Sequence, residues 1–211
     1  MKYLEFKNAV RDFPLISSSQ LSTITKRSQV LRNQLNQWQK KGLVLKLKRG
    51  LYILNENDRK IHPSRIFLAN SLYTPSYVST EYALGYYGLI PERVADVTSI
   101  TTKKTARFRN SFGIFVYQHL NTDLFLGFTK IQDENGHPVL IAKPEKAVLD
   151  FIYLNLQGFK NGGKEVFRLS YRFQNMDLLK TDRLANFAEK YGKKGFAAVV
   201  ASLLHFVEEE R

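Results

Sequence analysis

The 211-residue chain contains no cysteine, which excludes disulfides, thiolate metal sites and cysteine nucleophiles. It also lacks any run near the roughly 18 consecutive apolar residues that a membrane-spanning helix needs. Its opening, "MKYLEFKNAVRDFP", has acidic residues where a secretory signal would have its apolar region, so the expectation is a soluble, cytoplasmic protein. Internal repeats and low-complexity tracts are absent as well. The scarcity that says most is of negative charge: 19 Asp and Glu stand against 32 Lys and Arg, a net +13, with a pI near 9.8. Such an imbalance asks for a polyanionic partner, either nucleic acid or an acidic lipid surface. What is present is enough for a core, because 44% of the residues are hydrophobic and 13% aromatic, which argues against wholesale disorder.

The charge is unevenly spread. Residues 1–54 hold 11 of the basic residues and only 2 of the acidic ones. Within them, Leu4, Ala9, Val10 and Phe13 recur at roughly helical spacing until Pro14 ends the pattern. "SSSQLSTIT" follows, with serines suited to capping and Leu21 and Ile24 one turn apart, predicting a short helix over 18–25. Thr25 or Ser28 then caps a third helix. There Leu31, Leu35 and Trp38 form an inward stripe, and Gln29, Asn33, Asn36 and Lys40 project from the opposite side. Gly42 stops it. Leu43, Leu45 and Leu47 alternate as in a half-buried strand, a basic turn surrounds Gly50, and "LYIL" reads as a returning strand. Three helices and a basic hairpin predict a winged helix-turn-helix over 1–56.

The polar, proline-containing "NENDRKIHPS" makes 57–64 the expected linker to a second domain over 65–211. Two helical patterns open that domain, "PSRIFLANSLY" and "SYVSTEYALGYYGL", the second closed by Gly88 with Pro91 just beyond. "VADVTSITT", "FGIFVYQHL", "DLFLGFTKI" and "PVLIAK" are rich in β-branched and aromatic residues, and "DENGH" offers an Asn-Gly turn between the last two. A small, mostly antiparallel sheet is expected. From Pro144 the pattern is helical again, ending in the apolar "GKKGFAAVVASLLHFVEEE", which is expected to pack centrally. The fold class is therefore α+β: an N-terminal winged helix-turn-helix and a C-terminal domain with a small sheet and several helices.

Duplex DNA carries one phosphate charge per roughly 1.7 Å of axis, so a protein that reads it needs Lys and Arg to dock and amides to discriminate. Gln29, Asn33 and Asn36 supply amides suited to adenine, and Arg32 on the flank suits guanine. Lys26, Arg27 and Ser28 at the helix entrance and Lys40 at its exit, with Lys41 beside it, are placed for phosphates. Lys46, Lys48 and Arg49 lie at or near the hairpin tip, where a wing meets the neighbouring minor groove or its phosphates. A second basic run, "TTKKTARFRN", carries Lys103, Lys104, Arg107 and Arg109 around Phe108. It reads either as a solvated loop between strands or as a further nucleic-acid contact in which the aromatic stacks on a base.

Three blocks, "LNQWQKKGLVLKLKRGLYIL", "PSYVSTEYALGYYGLIPE" and "IAKPEKAVLDFIYL", occur in an order that resembles the AbiEi-type antitoxins of bacterial toxin-antitoxin and phage abortive-infection systems. The resemblance covers most of residues 35–154 and fades after Gly158. It implies a winged-helix transcriptional repressor that binds its own operator, and an antitoxin domain opposing a nucleotidyltransferase-type toxin without a stable complex, as in type IV systems. Carried over residue by residue, it falls on Gly42, Arg49, Gly50, Leu51 and Tyr52. Gly50 and Tyr52 would shape the wing, and Arg49 would make the contact. Because one recognition helix covers a half-site, repeated or palindromic operators are expected, bound by a monomer or by a weak or cooperative dimer.

Signs of catalysis are weak. His119, His137 and His205 form no ligand spacing, and no Gly-rich phosphate loop follows a strand, so no metal, cofactor or enzymatic activity is expected. His137 reads as a turn residue and His205 as a satisfied core histidine. In "PEKAVLD", Glu145 favours the helix dipole and Lys146 with Asp150 makes an i,i+4 ion pair. Two other readings stay open: a transcription factor whose C-terminal domain senses a small ligand, and an enzyme whose N-terminal domain delivers it to DNA.

Overall fold

The computed structural model describes residues 1–24, 28–160 and 163–210, without the side chains of Ser22, Ile24 and Ser28. The chain begins with helix α1 (Tyr3–Val10), strand β1 (Ile16–Ser17), α2 (Ser18–Ile24), α3 (Ser28–Lys40), β2 (Val44–Lys48) and β3 (Leu51–Leu54). The three strands form an antiparallel sheet in the order β1-β3-β2. Gly50 makes the β2–β3 turn with φ +79°, and a Cβ there would lie 2.9 Å from Ser18 Oγ. Only glycine meets both conditions without strain.

A small core closes the helices over one face of this sheet. Leu31, Leu35 and Trp38 of α3 meet Phe6 and Val10 of α1, Leu21 of α2, and Val44 and Leu54 of the strands. The Trp38 ring lies 5.4 Å from Tyr3 and 4.8 Å from Phe6 between centroids. The stripe expected on α1 is displaced, however: Leu4 and Phe13 are 64% and 49% exposed while Phe6 and Val10 are buried. A helix buries one stripe, and the one through Tyr3, Phe6 and Val10 brings two aromatic rings against Trp38.

The remaining elements are α4 (Arg65–Leu72), β4 (Ser76–Val78), α5 (Thr80–Tyr86), β5 (Val97–Thr101), β6 (Ala106–Asn110), β7 (Gly113–His119), β8 (Phe128–Gln132), β9 (Pro138–Ala142), α6 (Pro144–Leu154), α7 (Leu156–Phe159), α8 (Thr181–Ala188) and α9 (Phe196–Glu209). Six strands form one sheet in the order β6-β7-β5-β4-β9-β8. The sheet is mixed, with antiparallel pairing in three of its five ladders, β4–β5, β6–β7 and β8–β9. The β6–β7 hairpin sends β6 to the edge and returns β7 beside β5, so those two run parallel, as do β4 and β9. The result is a mixed α/β protein.

Two local expectations change. "SYVSTEYALGYYGL" is not helical throughout: its first residues form β4, a central strand buried between β5 and β9, and the helix starts only at Thr80. "TTKKTARFRN" is not simply a loop, because residues from Ala106 onward form edge strand β6. The Asn-Gly turn does join β8 to β9, with Gly136 at φ +76°. α9 packs centrally through Phe196, Val199, Val200, Leu203, Phe206 and Val207.

The second face of the small sheet is also covered. Leu47, Leu51 and Ile53 belong to the large core, along with Leu15, and Leu45 packs against it. Alternate residues of β2 and β3 thus face opposite ways, Val44, Tyr52 and Leu54 toward the helices and Leu45, Leu51 and Ile53 toward the large sheet. Residues 57–64 tie the halves together. Asp58 accepts hydrogen bonds from Tyr3 Oη and Lys7 Nζ. Arg59 lies over the Phe112 ring at 5.3 Å, and Ser64 caps α4 while donating to Asp133 at 2.6 Å.

Candidate nucleic-acid interface

Helix α3 is the element that makes a site of the N-terminal part. Its inner stripe is buried, which fixes its rotation and turns Gln29, Arg32, Asn33, Asn36 and Lys40 to the exposed side together with Gln37. Gln37, on the same exposed side, was not singled out from the sequence; the helical period that placed Asn33 and Lys40 also reaches it. Asn36 accepts a 3.4 Å hydrogen bond from Gln39 Nε2. Lys26 and Arg27 lie outside the described residues, as does the side chain of Ser28.

The hairpin residues divide. Lys46 and Arg49 are exposed, and Arg49 joins Arg32 in lining a cleft of about 310 Å³ between α3 and the hairpin, floored by Leu31 and Leu35. Lys48, the last residue of β2 before the turn, does not point into solvent. It is half-buried, donates to the carbonyl of Leu72 at 2.5 Å and sits 6.0 Å from the Phe108 ring centroid. Burial and then the neighbouring charge of Lys103 push its pKa down. The cause is the register shift between Lys46 and Lys48 in the β2–β3 ladder, which follows Lys46 with two residues, Leu47 and Lys48, that turn toward the large sheet. Lys48 is therefore engaged inside the molecule as a tether between the hairpin and the end of α4.

The second basic run lies beside the hairpin. Asn110 Nδ2 donates to Leu47 O at 3.4 Å, so edge strand β6 adjoins β2. Lys104, Arg107 and Arg109 are exposed, with Arg107 3.5 Å from Asp96. Lys103 is exposed too, its ammonium 5.5 Å from the Tyr73 ring centroid. Phe108 is not available for stacking on a base: it is half-buried and packs at 5.7 Å against both Tyr73 and Tyr117.

The other chemistry-bearing residues have partners within the molecule. Lys146 and Asp150 do pair, at 2.5 Å, but both are fully buried. Around them Tyr77 Oη and Ser79 Oγ donate to Asp150 Oδ2 at 3.0 and 2.8 Å, and Tyr191 Oη donates to Oδ1 at 2.8 Å. Burial lowers the Lys146 pKa, opposed by Asp150, and raises that of Tyr191. Glu145 is buried as well and accepts from the backbone N–H of Lys180 at 3.0 Å. His205 is no core residue: it is exposed beside Lys164 and Glu209. His137 packs on Phe67 at 4.6 Å, and His119 meets Lys103 O at 3.0 Å. Among the described residues no three His, Asp or Glu side chains come together as a metal cage, and no helix is long and apolar enough to cross a membrane.

Taken together, these features define a mixed α/β protein with a basic, amide-bearing helical face. No family model matches the chain, and no curated protein matches it either.

Proposed function

We propose that the chain is a DNA-binding transcriptional repressor of the winged helix-turn-helix class and the antitoxin of an AbiEi-like type IV system, autoregulating its operon and counteracting a nucleotidyltransferase-type toxin. The observation that carries the DNA reading is the exposed face of α3, where Gln29, Arg32, Asn33 and Asn36 stand outward above a fully packed inner stripe. The order α1-β1-α2-α3-β2-β3, with its sheet arranged β1-β3-β2, supports α3 as the recognition helix and the β2–β3 hairpin as the wing. Lys46 and Arg49 are its phosphate contacts. Lys104, just ahead of β6, and Arg107 and Arg109 on that strand continue the basic surface along the duplex backbone. The antitoxin role rests on the three-block resemblance and on no site geometry.

The test is titration of the chain on its own upstream DNA and on random duplex, each at two salt concentrations. Asn33→Ala is expected to lower discrimination between the two by about 1–3 kcal/mol. Arg49→Ala is expected to weaken binding to both alike and to reduce the salt slope by about 1. Wild-type behaviour from both variants rejects the interface. For the antitoxin role, co-expression with the product of a neighbouring nucleotidyltransferase-like gene should restore growth, and failure to do so rejects it.

A further inference from the structure

The run "TEYALGYYGLIPERV" does more than supply a helix. α5 sets Tyr82 and Tyr86 one turn apart with Gly85 beside them, and the chain past Pro91 returns across that helix. The approach is close at Gly85, where a Cβ would lie 3.4 Å from Glu92 O and 3.5 Å from Val94 Cγ2. With Arg65, the first residue of α4, these residues enclose a cleft of about 320 Å³, at the lower end of the roughly 300–1,000 Å³ typical of small-molecule sites. Six of the seven residues lining it come from this one stretch of chain.

Its chemistry has two halves. One is aromatic: Tyr86 is 51% exposed, its ring edge-to-face with that of Tyr87 at 5.2 Å, and Tyr82 lies deeper in the same wall. The other is cationic. One terminal nitrogen of Arg65 donates to Ala95 O, while its Nε is buried with no hydrogen-bond partner. Arg93 is exposed at the rim. The one carboxylate among the lining residues, Glu92, is paired with Arg172 at 3.3 Å, and the guanidinium groups of Arg65 and Arg93 outnumber it there. Guanidinium groups favour phosphate because their N–H donors match its oxygens, and tyrosine rings favour a flat base. An inorganic anion would leave the rings unused, and an apolar ligand would leave Arg65 unmatched.

We propose that this cleft binds a free mononucleotide, its base against the Tyr86 and Tyr82 rings and its phosphate at Arg65 and Arg93. None of these residues belongs to α3 or the hairpin, so the inference stands whether or not the chain binds a duplex. The test is isothermal titration of the full chain with adenosine 5′-monophosphate, adenosine, inorganic phosphate and a short single-stranded oligonucleotide. The mononucleotide is expected to bind at least tenfold more tightly than adenosine or phosphate. Arg93→Ala should weaken the mononucleotide about tenfold and leave adenosine unchanged, whereas Tyr86→Ala should weaken both. Both substitutions fall at exposed positions, and an unchanged thermal midpoint checks that each variant is folded. Phosphate binding as tightly as the mononucleotide, no binding at millimolar concentration, or variants that bind like the wild type would each overturn the proposal. An oligonucleotide that binds more tightly than the mononucleotide, and loses that affinity in both Tyr86→Ala and Arg93→Ala, overturns it too, by assigning the site to a strand.

Discussion

Adjacent residues of the β2–β3 hairpin, Lys48 and Arg49, have opposite fates: one is spent inside the molecule and the other is left in solvent. Lys48→Ala is therefore expected to lower stability by about 1–2 kcal/mol, the scale of a hydrogen bond from a charged donor, and to shift the thermal midpoint by a few degrees. Asp58 acts similarly. Lys7's hydrogen bond, then Tyr3's, hold its carboxyl below the usual carboxylate range, and its side chain is only 16% exposed. In the unfolded chain an aspartate titrates near ~4, so this contribution is complete above that value and is lost as pH falls through the lower native value. Asp58→Asn should cost about 2 kcal/mol at neutral pH. The gap between variant and wild type should close in denaturation curves taken below about pH 4. Neither role can be read from composition. A lysine at a hairpin looks the same in sequence whether a bulge turns it inward or outward, and the partner of Asp58 lies 51 positions away.

Element by element, legibility follows the length of the periodic signal. Helix α3 repeats its apolar residues over three turns and brings its tryptophan to the centre of the small core, so both its boundaries and its exposed side are readable. β4 is three residues long, and three residues cannot distinguish period 2 from period 3.6. β6 is hidden by its charges: Arg107 and Arg109 point outward in alternation with Ala106 and Phe108, a pattern that is obvious only once the strand is known to be an edge. In α6, Lys146 and Asp150 have the i,i+4 spacing of a solvent-exposed ion pair, and the sheet and α8 above them reverse the expected environment. Lys146→Met is expected to cost about 3–5 kcal/mol because it leaves Asp150 buried without its counter-charge. The double substitution with Asp150→Asn should recover part of that loss in denaturant titrations, since a neutral amide leaves no unpaired charge and can still bond the buried Tyr77, Ser79 and Tyr191 hydroxyls.

At the scale of the molecule, the small sheet is shared. Its helices cover one face, and the large core receives Leu47, Leu51 and Ile53 from the other. The polar stretch 57–64 reads as a linker, and it is anchored on both sides by Asp58, Arg59 and Ser64. Cutting the chain there uncovers a contiguous apolar face on each product, and such faces drive association. A fragment of residues 1–64 is accordingly expected to self-associate and to melt below the full chain. Light scattering and a thermal scan measure both effects, and a monomeric fragment as stable as the parent would contradict the shared-sheet arrangement.

Trp38, the single tryptophan of the chain, sits in the smaller of the two cores between Tyr3 and Phe6. The molecule thus carries an indole reporter in one half of itself and only tyrosines in the other. Its indole emission follows the helices around the small sheet, while the far-ultraviolet signal follows every helix and strand, so the two traces superimpose only where the halves come apart in a single cooperative step.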